Sequence, residues 1–107
     1  MKKGQIRDAQ LSTLIAKELG LILDSSLDAR LSMLTVTRVE AGAGGSHFMV
    51  FVAPAEGAEL SLTAKEIKGV LARAIGYLRS ELLSALNLKR APDLTIKLDP
   101  LYSAAAG

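Results

Sequence analysis

Apolar residues recur at spacings of three and four from Gln5 to Leu23, where Ile6, Leu11, Leu14, Ile15, Leu19 and Ile22 form one stripe. That period is the period of an α-helix, so the segment is predicted to be an amphipathic helix. Gly20 within it costs about 1 kcal/mol of helix propensity relative to alanine, a cost that a close neighbouring backbone would explain. Asp24-Ser25-Ser26 ends the pattern, and Asp28-Ala29-Arg30-Leu31 reads as a short turn. From Leu34 to Val39 β-branched residues take over with an imperfect period of two. This predicts a strand with Leu34, Val36 and Arg38 on one side and Thr35, Thr37 and Val39 on the other. Gly42-Ala43-Gly44-Gly45 supplies a hairpin turn, and Phe48 to Val52 forms a second strand ended by Pro54.

Ala55 to Ser61 is a small polar connector, after which Thr63 and Glu66 have the spacing of a capping box. The helix that follows turns Ile67, Val70, Leu71 and Ala74 inward and leaves Lys65, Lys68 and Arg73 outward. Ala74-Ile75-Gly76 interrupts it with small residues and is expected to kink it, before Leu78, Leu82, Leu83 and Leu86 renew the stripe. Asn87 begins the exit and Pro92 bars continuation of the helix. Leu94, Ile96 and Leu98 then alternate with Thr95 and Lys97, as in a third strand. The predicted order is helix, strand, strand, helix, kinked helix, strand. Three strands cover two apolar helical stripes only if the helices pack together on one sheet face, which makes a two-layer α+β domain. A type II K-homology-like fold has a compatible order, as do other small α+β arrangements. The 107 residues suit a single domain spanning 1–107, with its core over about 5–99 and 100–107 as a flexible tail.

Composition narrows the chemistry. Half of the chain is hydrophobic, with no Trp, two Phe and two Tyr, so the core is aliphatic and stacking platforms are scarce. The absence of cysteine removes disulfides, thiol catalysis and thiolate metal sites, and it fits an intracellular protein. Lys2 and Lys3 are not followed by an uninterrupted apolar run, because Arg7, Asp8, Lys17 and Glu18 break it. No run reaches the roughly 18–20 residues of a membrane span, so a soluble cytoplasmic protein is expected. His47 is the only histidine, and at the start of a strand it reads as structural or exposed. Asp24 with Asp28, and Glu56 with Glu59, lack a nucleophile or phosphate loop beside them and read as turn and connector residues. Gly42 to Gly45 lacks the lysine of a Walker loop. No enzyme activity, cofactor or metal site is expected.

Charge is uneven. Residues 1–60 carry six Lys or Arg against seven Asp or Glu, whereas residues 61–107 carry seven against four, giving −1 and +3. The excess favours phosphate near the second half.

Ala74-Ile75-Gly76-Tyr77-Leu78-Arg79, Leu82, Leu86, Leu88-Lys89-Arg90, Pro92-Asp93-Leu94 and Ile96 together resemble the ribosome-binding factor A family, and Asp28 to Leu31 with Thr35 to Glu40 extend the likeness over nearly the whole chain. The departures are Ala29 where the family often has proline, Met49 for a frequent lysine, Ile96 for a frequent phenylalanine, and a nearly absent charged extension after the third strand. The resemblance implies a type II K-homology-like domain in which the Ala-x-Gly interhelical kink replaces the usual glycine-rich nucleic-acid loop. It also implies a bacterial, non-enzymatic maturation factor that binds the small (30S) ribosomal subunit and its precursor near the neck and decoding region of 16S rRNA. Such a factor assists late rRNA processing and folding and supports growth in the cold. Ribosomal proteins and an assembly GTPase are further implied partners, and a monomer is expected.

The residues expected to meet RNA are Lys65, Lys68, Arg73, Arg79, Lys89 and Arg90 on phosphates, with Ala74, Ile75 and Gly76 permitting close approach. The competing reading is a protein-interaction module that uses the exposed sheet face and the connector to contact ribosomal or other assembly proteins without recognising RNA.

Overall fold

Two strands, β1 (Leu34–Ala41) and β2 (His47–Pro54), form an antiparallel hairpin, and β3 (Asp93–Leu98) adds to the other edge of β2 in parallel. The sheet order is therefore β1-β2-β3. A parallel neighbour needs a crossover, and helix α3 (Ala64–Ala85) provides it. Helix α1 (Lys3–Asp24) lies over β1, α3 lies over β3, and the two helices touch, so both cover one face of the sheet. The computed structural model describes residues 3–42, 47–55 and 62–101. All of the expected Gly42–Gly45 turn except Gly42, most of the connector including Glu56 and Glu59, and the tail from 102 onward lie outside these residues.

Side chains from both layers meet in one aliphatic core. Ile15 and Leu19 of α1, Val50 and Val52 of β2, and Ile67, Leu71, Leu78 and Leu82 of α3 are all at most 2% exposed. Leu14 departs from the expected stripe at 47% exposed, while Leu23 is buried. At about 100° per residue the direction midway between Ile15 and Leu19 points well away from Leu14, which places Leu14 on the flank of α1.

Three local features differ from the periodic reading. Asp28-Ala29-Arg30-Leu31 is more than a turn: α2 (Ala29–Ser32) is a single helical turn, N-capped by Asp28 and anchored by buried Leu31. Strand β1 carries a bulge, with Val36 opposite Val52 and Arg38 opposite Phe51, so Thr37 is the extra residue. The bulge exchanges the faces beyond it: Val39 packs against the core and Arg38 is exposed, the reverse of the alternation expected.

The third feature is α3, a single 22-residue element in place of the two helices expected around Ala74-Ile75-Gly76. Its buried residues Ile67, Leu71, Leu78 and Leu82 follow steps of four, seven and four, so the apolar stripe stays in phase across Gly76. Each buried leucine contributes about 1.5–3 kcal/mol, which outweighs the roughly 1 kcal/mol cost of the glycine. The helix begins with the expected Thr63–Glu66 capping box. It ends with Asn87 at φ 52° and the Leu88 N–H donating back to the Leu83 carbonyl at 3.1 Å, a left-handed C-terminal cap.

Candidate functional site

Most of the cations on and after α3 fall into two groups. The first gathers at the N-terminal half of the helix. There Lys65, Gly69, Val70 and Arg73 join Arg30 of α2 around a surface concavity of about 310 Å³. A second concavity of about 260 Å³ adjoins it between Asp28, Arg30, Val70, Arg73 and Ala74. Arg30 and Arg73 therefore line both. Lys68 is exposed on α3 but lines neither.

Arg30 was not among the expected contacts, and its neighbour Asp28 explains its position. The Arg30 Nε donates to Asp28 Oδ1 at 3.1 Å and Nη2 donates to Oδ2 at 2.8 Å. The Arg30 backbone N–H also donates to Oδ1, at 2.9 Å. These side-chain and backbone hydrogen bonds hold the Asp28 carboxyl below its ordinary pKa, and the side-chain pairing raises that of Arg30. A forked pairing of this kind fixes the plane of the guanidinium and leaves its Nη1 side unpaired among the described residues. The sequence signal was an Asp-x-Arg spacing at a helix start. The nearby acid Glu66 is also committed, since its Oε1 accepts from the Thr63 N–H at 3.2 Å.

The second group spans the C-terminal half of α3 and the segment after it. Arg79, Lys89 and Arg90 line a concavity of about 600 Å³ whose other walls include Leu11, Phe48, Leu88 and Pro92. Arg79 is not displayed there as Lys89 and Arg90 are. Its Nε donates to the Pro92 carbonyl at 2.9 Å, and Nη2 reaches Asp93 Oδ1 at 3.2 Å and the Ala91 carbonyl at 3.5 Å. It ties the segment after α3 to the helix. Lys89 and Arg90 are exposed.

Ala74, Ile75 and Gly76 also separate. Ala74 and Ile75 are half-buried and pack against the core, while Gly76 is exposed on the outward side of α3. A Cβ built on Gly76 meets nothing within 4 Å. Nothing inside the domain therefore requires glycine at this position. Tyr77, 50% exposed, follows it one turn beyond Arg73.

The outer face of the sheet is organised differently. The Arg38 guanidinium sits 4.1 Å from the centre of the Phe51 ring and 3.2 Å from Glu40. Phe51 is buried outside the helix-side core, and Lys97 is its partner on β3. Asp99 is the buried charged residue among those described, and it accepts the Thr37 hydroxyl at 2.6 Å and the Leu101 N–H at 2.9 Å. The Thr37 bond first, then the Leu101 bond, hold its carboxyl below the ordinary value. Sequence reading missed this pair because the bulge that aims Thr37 has no local signature. His47 has a structural partner, its Nε2 lying 3.0 Å from Thr95 Oγ1 across β2 and β3. Among the described residues no cluster of three or more His, Asp or Glu side chains is placed to hold a metal, and no helix is long and apolar enough to cross a membrane.

Comparison with known proteins places these features in a family context. A family model described as ribosome-binding factor A matches residues 7–106. A ribosome-binding factor A of Koribacter versatilis is 36% identical over 91 residues, covering 84% of this chain and 72% of the relative. One from Brevibacillus brevis is 35% identical over 100 residues, covering 90% and 78%. The fold matches the crystal structure of ribosome-binding factor A from Thermus thermophilus with a TM-score of 0.70 at 24% identity, over 85% of this chain and 93% of that one. A Thermus thermophilus homology model fitted into a cryo-EM map of a complex with 30S matches with a TM-score of 0.64 at 26% identity, over 82% and 90%.

Proposed function

The chain belongs to the ribosome-binding factor A family, and from that premise we propose that it matures the small ribosomal subunit by binding 16S rRNA in the 30S subunit or its precursor. It is a binding protein and not an enzyme. In this reading it assists late processing and folding of the rRNA, in the cytoplasm and most importantly in the cold, with an assembly GTPase and ribosomal proteins as neighbours. The domain is of the type II K-homology-like kind, and the Ala74-Ile75-Gly76 step stands where such a fold would otherwise carry its glycine-rich loop.

The observation that carries the proposal is the pairing of exposed cations with an unexplained helix glycine. Lys65, Arg73, Lys89 and Arg90 have no salt-bridge partner among the described residues, whereas Asp28 and Glu66 are engaged locally. Gly76 lowers the stability of α3 yet leaves open space on its outward side, as a close-approaching backbone requires. Long basic side chains on phosphates carry little sequence information, so RNA shape and the surrounding subunit surface supply specificity.

Sedimentation with separated ribosomal subunits tests this. The protein should travel with immature or free small subunits and not with large ones, more weakly as salt rises. Equal association with both subunits, or with neither, removes the assigned target.

A further inference from the structure

We propose that Arg30, held by Asp28, forms with Arg73 a phosphate-gripping site for the RNA backbone. The proposal rests on the RNA reading above and deepens it by naming a contact outside the set of α3 and post-α3 cations.

Two concavities adjoin along the Arg30–Arg73 pair, with Val70 in the lining of both. Leu62, Lys65, Gly69 and the capping-box acid Glu66 line one, and Ala74 and the paired Asp28 line the other. A Cβ on Gly69 would have as its only near neighbour Arg73 Nη2, at 3.9 Å, so helix packing gives no reason for a glycine there. Its effect is space beside the Arg73 guanidinium. A phosphodiester needs that space together with donors arranged before it arrives. Asp28 meets the second need: by taking Nε and Nη2 of Arg30 it fixes the guanidinium plane, and it leaves Nη1 for a ligand. Loss of side-chain freedom is then settled in the fold instead of at binding.

This makes a prediction opposite in sign to simple charge counting. Asp28→Asn removes a negative charge beside the site, which on a merely basic surface tightens RNA binding. Asparagine retains an N-cap acceptor for α2 but loses the fork, so a positioned Arg30 predicts weaker binding.

The experiment measures binding of the full chain to protein-free 16S rRNA and to isolated small subunits across a salt series. The variants are Arg30→Gln, Asp28→Asn and Gly69→Leu, with Lys17→Gln as an exposed control on α1 and thermal unfolding as the check on folding. Arg30→Gln should bind both targets about 3–10-fold more weakly at moderate salt, with the slope of log affinity against log salt reduced by roughly 0.7–0.9. Asp28→Asn should weaken binding about twofold or more. Gly69→Leu should raise the melting temperature while lowering affinity, a combination that a purely structural glycine does not produce.

If the parent binds rRNA and the Arg30 and Asp28 variants match it, or Asp28→Asn binds more tightly, this site is overturned while the RNA reading stands. If losses appear on intact subunits alone, an acidic ribosomal-protein surface replaces RNA as the partner and the proposal falls. If the parent binds neither target, the functional reading itself fails and takes this site with it.

Discussion

Replacing Arg79 by methionine isolates the role of its guanidinium, because methionine keeps most of the aliphatic length and discards the donors. In the folded protein the Nε–H···O=C bond to Pro92 is 2.9 Å, and Pro92 lies buried between the end of α3 and the start of β3. A hydrogen bond from a charged donor is worth about 1.5–3 kcal/mol, and with the Arg79 side chain 38% exposed the lower end applies. The Nη2 contact to Ala91, at 3.5 Å, adds little. Asp93 is 68% exposed, so the ion pair contributes about 0–1 kcal/mol. The sum is about 2 kcal/mol. At about 4–8 °C per kcal/mol for a domain near this size, Arg79→Met should melt about 8–16 °C below the parent. Differential scanning calorimetry at neutral pH reads this directly, with Arg90→Met beside it expected within a few degrees of the parent. Asp93→Asn should cost less than Arg79→Met, because the carbonyl bond remains. An Arg79→Met melting temperature within about 2 °C of the parent, or an equal loss for Arg90→Met, would refute the clamp. The same reasoning means that reversing charge at Arg79 destabilises the fold as well as changing its charge, so charge-reversal tests of RNA binding belong at Arg73, Lys89 and Arg90.

Gly76→Ala should raise stability by up to about 1 kcal/mol, since the added Cβ meets open space and the helix gains propensity. Gly76→Val should leave the fold intact for the same reason, and both should lower small-subunit affinity; a large loss of stability in either variant would show a packing role for this glycine. Asp99 has a folded pKa below its unfolded value near 3.9, so its contribution to stability is complete above that pH and is lost as pH falls through the lower folded value. Thr37→Val removes the hydroxyl that Asp99 accepts, so it should lower the melting temperature at pH 7 and bring acid unfolding to a higher pH. A melting-temperature difference between Thr37→Val and the parent that stays constant from pH 7 to below 3 would contradict this account.

Periodicity, caps and composition determined much of this protein without tertiary information. The spacing of apolar residues is a local property, so it located α1, α3 and all three strands. Thr63 and Glu66 marked the start of α3 through bonds only three residues long. Absent cysteine and a single histidine removed whole classes of chemistry. The tertiary structure decided matters that depend on distant neighbours. Whether Gly76 breaks a helix depends on whether the leucines beyond it find the same core as the residues before it, and they do. The face on which Arg38 emerges depends on the bulge at Thr37, which pairing with β2 imposes. The expected row of RNA-facing cations divided for the same reason. Arg79 was taken by a carbonyl 13 residues away, while Arg30, assigned from sequence only to a turn, was brought beside Arg73 by packing of α2 against α3. Residue order specifies how many positive charges a segment carries. Only the folded arrangement of acceptors specifies which of those charges remain unpaired among the described residues.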